Sequence, residues 1–429
     1  MARLQSRQIS QLHLYQVLHA VRLGANALSR AEICRVTGLS QPAVSSLTRR
    51  LLESRALVEV GARPSIGGGR REREFAINPD FAWVVGCKVS MHQITLTLTD
   101  FAGGVRHTLK VPLSAPVTQS ALVKLLAREI GACLTAAGKE VRKRLAGVGV
   151  AMPGLVDSLR GEVHWSPVIK PARTGSSEPL AAALSQALFT SVFVENDANM
   201  LALGEQWFGH AARLSNVAVV TLEHGLGLGL LLNGELFRGH LGMAAELGHV
   251  QVEVGGRACR CGKRGCLEAY VAHYAVVHQG QEAGLLPASQ DNPAEVEAAY
   301  VDLAEQARAG NQAALVIFER QGRLLGQWVG NVVNLLSPQW VMLDGVSVAA
   351  DLYERPLRDA MREALALPHR DRIQIKLCHQ GDEAWARGAA SLVLQRLDES
   401  AEILESVSRH GYDNDSVGRH SDDRPQPPR

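Results

Sequence analysis

Apolar residues at helical spacing, Leu12, Tyr15, Leu18 and Val21, predict a helix near the start of the chain. Ser29 with Glu32 three residues on reads as a capping box, opening a helix over Arg30–Thr37. Gly38 stands where that helix should end. Ser40 and Pro42 open a further helix, about Gln41–Ser54, with Val44, Leu47, Leu51 and Leu52 turned inward. Its other faces carry Gln41, Ser45, Ser46, Thr48, Arg49 and Arg50. Two short helices joined by a Gly-containing turn are the helix-turn-helix pattern. Two β-rich runs follow, Ala56–Val60 and Glu72–Ile77. The basic loop between them contains Gly67, Gly68 and Gly69 and reads as a wing.

Beyond Asn78-Pro79-Asp80 the pattern changes to strands alternating with helices. Trp83–Val89, Gln93–Thr99 and Val105–Val111 predict three strands, then a helix over Gln119–Ala137. Further strands are expected at Leu145–Met152, Val192–Glu195, Val217–Leu222, Leu228–Leu232, Trp340–Leu343 and Ile373–Leu377. Long helices are expected at about 292–309, 311–335 and 350–365, with Asp382–Leu397 closing the body. This order predicts an α/β body of two lobes. The expected organisation is a winged helix-turn-helix domain over residues 1–78, a two-lobed domain over 81–397 and a disordered polar tail over 398–429.

A length of 429 residues accommodates two or three domains. No apolar run approaches the roughly 20 residues of a membrane span, and no apolar signal core opens the chain. We therefore expect a cytoplasmic protein without membrane insertion. Charge changes the picture locally. Residues 1–75 hold twelve arginines, no lysine and five glutamates, an excess of seven positive charges, whereas the whole chain carries only +2. A basic head on an acidic body points to nucleic acid at one end. The plain alternative is a solvated basic face on a small helical domain. In the nucleic-acid reading, Gln41, Ser45 and Ser46 reach base edges, Arg49 and Arg50 hold phosphates, and Arg70 and Arg71 enter the minor groove.

The densest chemistry lies at Glu246-Leu-Gly-His249 followed by Cys259-Arg-Cys261 and Cys266-Leu-Glu268. Three thiols and an imidazole, His249, Cys259, Cys261 and Cys266, can close a tetrahedral Zn²⁺ shell. Gly262 and Gly265 let so short a loop fold back on one ion. Scattered core cysteines are the alternative, but they explain neither the tight spacing nor the paired glycines. The remaining thiols, Cys34, Cys87, Cys133 and Cys378, lie in apolar segments and read as core residues.

Glu246-x-Gly-His249 with C-x-C-G-x-x-G-C-L-E resembles the signature of the ROK family, a group of transcriptional repressors and sugar kinases. The resemblance implies an actin-like sugar-kinase fold, a structural zinc and flanking acids that bind sugar hydroxyls. Met152-Pro-Gly-Leu-Val-Asp157 resembles a segment lining that family's sugar cleft, and Glu195-Asn-Asp-Ala-Asn199 resembles its E-N-D-A-N motif. The resemblance makes Asp197 the position of the kinase general base, and Asn196, Glu246, His249 and Glu268 sugar contacts. Carboxylates and amides suit a ligand rich in vicinal hydroxyls. Taken singly, each of these residues could be only a turn or cap. His164, Trp165 and Ser166 are candidates for the rim.

The nucleotide side departs from the kinase pattern. Where kinases carry D-x-G-G-T, this chain has Lys88-Val-Ser-Met-His92, and lysine cannot coordinate Mg²⁺. Where kinases carry G-T-G-x-G-x-G, it has Glu223-His-Gly-Leu-Gly-Leu-Gly229, and a carboxylate repels a triphosphate. Leu343-Asp-Gly-Val replaces a third glycine turn. The expectation is a non-enzymatic DNA-binding repressor of carbohydrate genes, with zinc, a sugar or sugar-phosphate effector and a palindromic operator bound by a homodimer or tetramer. Two rivals stand beside it: an active sugar kinase with a DNA-binding head, and a repressor governed by a transporter subunit.

Overall fold

The computed structural model describes residues 2–24, 27–63, 71–113, 115–171, 178–288, 292–345, 349–370 and 372–399. The head consists of α1 (Ala2–Leu23), β1 (Leu28–Ser29), α2 (Arg30–Thr37), α3 (Gln41–Glu53), β2 (Leu57–Arg63) and β3 (Glu72–Ile77). Its strands form an antiparallel sheet in the order β1-β3-β2. The expected capping box is present: Ser29 Oγ accepts from Glu32 N, and the Glu32 carboxylate accepts from Ser29 N. Gly38 ends α2 at φ 71°. Ser40 occupies the N-cap of α3, but its hydroxyl makes no capping bond. Thr48, expected on a polar face, is fully buried. Its hydroxyl donates to Val44 O and accepts from Arg30 Nε, which ties the two helices together. The loop expected as a wing tip, residues 64–70, lies outside the described residues.

The first lobe holds β4 (Trp83–Val89), β5 (Gln93–Asp100), β6 (Val105–Pro112), α4 (Gln119–Ala137), α5 (Lys139–Lys143), β7 (Leu145–Met152), β8 (Leu155–Asp157), β9 (Glu162–Trp165), α6 (Leu180–Leu188) and β10 (Val192–Asn196). Its main sheet runs β10-β7-β4-β5-β6, an antiparallel meander joined to parallel strands. The chain then enters α7 (Asp197–Phe208) and a second lobe of β11 (Val217–Leu222), β12 (Leu226–Leu232), β13 (Glu235–Leu236), α8 (Glu268–Val271), α9 (His273–Glu282), α10 (Pro293–Arg308), α11 (Gln312–Leu336), β14 (Trp340–Asp344), α12 (Ala350–Ala364) and β15 (Gln374–Leu377). Here the sheet order is β13-β12-β11-β14-β15. The last helix, α13 (Asp382–Glu399), returns to the first lobe.

Helices α7 and α13 form the layer between the lobes. α13 packs on β4, β5 and β7, and α7 packs on β11 and β12. They touch because Gly388 has no side chain: a Cβ there would lie 1.8 Å from the Met200 carbonyl oxygen. Gly229 does the same for β12, where a Cβ would lie 2.3 Å from Ala198 O. That hairpin glycine therefore serves helix packing.

The expected boundaries are built tightly into the fold. Asn78-Pro79-Asp80 is pinned at both ends: Asn78 Nδ2 donates to Arg55 O, and Phe101 N donates to Pro79 O. Moreover, the head shares its core with the body. Leu14, Val17, Leu18, Ile33 and Phe75 belong to one buried cluster with Trp207, Trp340, Leu392 and Leu394. The body also runs past residue 397. Asp398 is fully buried in α13 and paired with Arg22, so the polar character that assigned it to the tail reflects an internal ion pair. Residues 400–429 lie outside the described residues.

Candidate functional site

Chain turns from both lobes meet at a cleft. The turn after β7 supplies Pro153 and Gly154, the junction of β10 and α7 supplies Asn196 and Asp197, and the second lobe supplies Glu246, His249 and Glu268. Every residue expected to contact sugar therefore lines one cavity. Trp165, a rim candidate, lies there as well, its ring edge-on to His249 at 6.1 Å, whereas His164 is exposed and Ser166 is buried.

Asn196 has a structural duty. Its carboxamide oxygen caps α7 by accepting from Ala198 N (2.9 Å) and Asn199 N (3.3 Å), and its Nδ2 donates to Gly154 O (3.1 Å). The capping reading and the cleft reading thus hold together at this residue. Glu246 follows Ala245, a non-glycine residue at φ 67°, a strained conformation of the kind that clusters at binding sites. Burial pushes the Glu246 carboxyl up to about 7, helped by the charges of Asp197 and Glu268. Glu268 is almost fully buried at the start of α8 and accepts from Leu226 N. Its carboxyl is likewise raised by burial.

Burial raises the Asp197 carboxyl from its ordinary 3.8 to about 6; the Lys88 charge opposes the rise and Glu223 adds to it. The folded value lies above the unfolded one, so protonated Asp197 favours the fold. That contribution is complete below pH 3.8 and is lost as pH rises through about 6. Asp197→Asn is therefore expected to unfold at a higher temperature than wild type at pH 8, with the difference shrinking toward pH 4. Parallel melting curves across that range would contradict the raised carboxyl.

The sulfur and nitrogen atoms of His249, Cys259, Cys261 and Cys266 all lie within 4.8 Å of one another. Cys261 and Cys266 Sγ are 3.8 Å apart, and Cys259 Sγ is 3.7 Å from His249 Nδ1. Tetrahedral zinc with Zn–S near 2.3 Å and Zn–N near 2.0 Å requires separations of roughly 3.5–3.8 Å. The four groups fit such an ion. The intervening backbone is built from turns, with Gly262 at φ 87° and Gly265 at φ 77°. A Cβ on Gly265 would lie 1.7 Å from Glu253 O, so only glycine closes the loop there.

On α3, Gln41, Ser46, Arg49 and Arg50 are exposed, and Ser45 is half-buried. Positions 41, 45 and 49 are four apart and share one side of the helix. Arg71 is exposed, whereas Arg70 lies outside the described residues.

Several cleft residues escaped sequence reasoning. Lys88 is buried, although its sequence position suggested only a degraded phosphate turn. Arg260, between two metal-loop cysteines, lines the cleft with its guanidinium 3.8 Å from the centroid of the Tyr274 ring. Trp385 reaches the cleft from α13. No local motif marks Trp385, because it arrives through the return of the last helix.

A family model described as the ROK family matches residues 84–396. The xylose repressor of Caldicellulosiruptor bescii is 26% identical over 394 residues, covering 90% of this chain and 96% of that protein. The DNA-binding transcriptional dual regulator NagC of Escherichia coli is 30% identical over 325 residues, covering 76% of this chain and 78% of that one. Among solved structures, a ROK family transcriptional regulator described as a homologue of the E. coli MLC protein superposes with a TM-score of 0.75 at 23% identity, over 94% of this chain and 100% of that chain. A ROK family glucokinase from Streptomyces griseus, in complex with glucose and AMPPNP, superposes with a TM-score of 0.60 at 28% identity, over 72% of this chain and 99% of that chain. The regulator fold thus spans the head as well as the body, while the kinase fold spans the two lobes. With the family model covering well over half of its length, the chain belongs to the ROK family.

Proposed function

We propose that this chain is a sugar-responsive transcriptional repressor. Its head acts as a winged helix-turn-helix that binds a palindromic operator as a homodimer or tetramer, and its cleft takes a sugar or sugar phosphate that releases the DNA. The observation that carries the reading is one core joining a basic three-helix head to α7 and α13, which bring Asp197 and Trp385 to the cleft that Glu246 and Glu268 also line. The relatives named as a xylose repressor and as a DNA-binding transcriptional dual regulator support the same assignment. His249, Cys259, Cys261 and Cys266 would hold a zinc ion in a structural role, since four protein ligands would complete its shell and leave no position for a substrate. The reading includes no catalysis, because Lys88 and Glu223 stand where a kinase places its metal-binding acid and a glycine.

The test is DNA binding by fluorescence anisotropy on a site selected from a random pool, repeated with a panel of pentoses, hexoses, amino sugars and their phosphates. One sugar that weakens binding about tenfold or more supports the proposal, in line with ordinary allosteric couplings. Release only by a transporter subunit would favour a protein effector, and sugar-dependent ATP hydrolysis would favour a kinase. In the same assay, Arg49→Ala is expected to weaken binding about equally on all sequences and to reduce the salt slope by about 1, the signature of one lost phosphate contact. An unchanged slope would remove Arg49 from the interface.

A further inference from the structure

Two replacements that read separately as losses in the sequence meet in the structure. Lys88 stands near the end of β4 in the first lobe, and Glu223 follows β11 in the second. Lys88 Nζ lies 3.3 Å from Glu223 Oε2 and 2.7 Å from Asp382 Oδ1. The lysine side chain is 2% exposed, and its ammonium sits 3.8 Å from the centroid of the Trp385 ring. Asp382 is itself tied to the first lobe, accepting from Gln93 Nε2 at 2.6 Å. It therefore steadies the lysine from its own side, and Glu223 is the partner across the gap.

The same seam is closed at further points. Arg260 of the second lobe approaches Met91 Sδ of the first at 3.8 Å, and the His92 and His224 rings stand 5.9 Å apart. The third nucleotide-side turn packs behind Glu223, since a Cβ on Gly345 would lie 2.5 Å from Glu223 Cγ. In the kinase pattern these turns leave room for phosphates, with an acid on one and glycine on the other. Here they carry opposite charges and touch. A triphosphate would have to part the turns and face the Glu223 carboxylate.

We propose that Lys88 and Glu223 form a cross-lobe ion pair that takes the place of the nucleotide and its metal ion, holding the lobes together so that the cleft binds sugar without a phosphate donor. The proposal rests on the sugar-binding reading above. In it, the two residues are positioning residues: both line the cleft beside Asp197, one from each lobe, and set how tightly the closed cleft holds its ligand.

The experiment is a double-mutant cycle on the full-length, zinc-loaded protein, with D-xylose, D-glucose and N-acetylglucosamine as probes in calorimetry. Glu223 is about a third exposed, so Glu223→Gln removes the cross-lobe charge with little threat to folding. Its sugar Kd is expected to rise about tenfold, within the usual range for couplings of this kind. Lys88→Met is expected to weaken binding at least as much, and the double variant no more than Lys88→Met alone. Mg-AMPPNP is expected to leave the wild-type sugar affinity unchanged. Hydrogen exchange of the Gly225–Gly229 amides is expected to accelerate in Glu223→Gln without any sugar. An unchanged Kd, fully additive losses, or nucleotide binding by the wild type would overturn the proposal. Wild type that binds none of the probes would count against the sugar reading; the exchange measurement then decides the ion pair alone, and unchanged exchange overturns it. Should Lys88→Met fail to fold, Glu223→Gln and Glu223→Lys carry the test, the second expected to weaken binding more than the first.

Discussion

Replacing Cys266 with serine will empty the metal loop and abolish sugar binding, while DNA binding persists. Between Glu246 and Glu268 the regular structure is limited to the 3-10 turn Leu247–His249 and two isolated antiparallel bridges, Gln251 to Cys266 and Ala258 to Arg264, supported by single hydrogen bonds such as Val252 N to Gly265 O and Cys259 N to Lys263 O. A segment with so little ladder or helix of its own depends on a cross-link. Zinc bound by four such ligands supplies apparent binding energies of roughly 10–16 kcal/mol in small zinc domains, far more than these turns provide. Without the ion, Glu246 and Glu268 lose the framework that aims both carboxylates into the cleft. The head is insulated from this loss. Cys259 and Cys266 belong to the buried cluster of the second lobe, whereas Leu14, Ile33 and Phe75 belong to a different one. Cys266→Ser should therefore behave as a repressor that no sugar releases. Elemental analysis should show zinc falling from one per chain to none, calorimetry should show at least a hundredfold loss of sugar affinity, and operator anisotropy should be near wild type. Retained sugar affinity in metal-free protein would show that the loop folds without its ion.

The sequence disclosed those parts of the molecule in which one face is wet. Helices α2 and α3 were placed by caps and an apolar stripe, and β4, α4, β7 and β11 were placed to the residue. Helix α7 was not anticipated. Its segment Asp197–Phe208 is buried on nearly every side, with Ala198, Asn199, Met200, Leu201, Ala202 and Leu203 all inaccessible, so no 3.6-residue alternation marks it. The site was legible where chemistry is local. His249 and the three cysteines are joined by short spacings, and Asn196 and Asp197 sit in one motif. What stayed hidden was pairing across long separations. Lys88 and Glu223 are 135 residues apart and Arg22 and Asp398 are 376 apart, so each residue alone looked like a lost kinase feature or an ordinary surface charge. The packing of head on body is equally invisible in the sequence, because α1 against α13 joins the two ends of the chain.

That packing leads to the second large effect: Asp398→Ala will destabilise the protein and disconnect the sugar from the DNA. The side chains of Arg22 and Asp398 are both inaccessible, and the guanidinium donates to the carboxylate through Nε (3.0 Å) and Nη2 (2.8 Å). Arg22 also donates to the Phe101 carbonyl and lies over the Phe101 ring at 4.6 Å and the Trp207 ring at 5.3 Å. Removing one member of such a pair leaves an uncompensated buried charge, at a cost of about 3–5 kcal/mol. The functional consequence follows from α7. Its N-cap Asn196 and first residue Asp197 lie at the cleft, and its last turn carries Trp207 against His19 and Arg22 of α1. One buried helix thus spans the distance from ligand to head, and Arg22 is clamped between its far end and the end of α13. If sugar in the proposed cleft shifts α7, the head feels that shift only while the clamp holds. Chemical denaturation of Asp398→Ala should show the loss of stability, with sugar affinity within a fewfold of wild type and operator affinity no longer responding to sugar. The double variant Arg22→Met/Asp398→Leu separates the two effects. Replacing both charges with apolar groups should restore most of the stability, since a buried ion pair is often no better than a hydrophobic contact of similar volume. It should not restore the response to sugar, because two flexible side chains no longer fix the register of α1 on α7. Full recovery of the sugar response in that variant would show that the joint needs only packing, and the coupling role of the Arg22–Asp398 pair would fall.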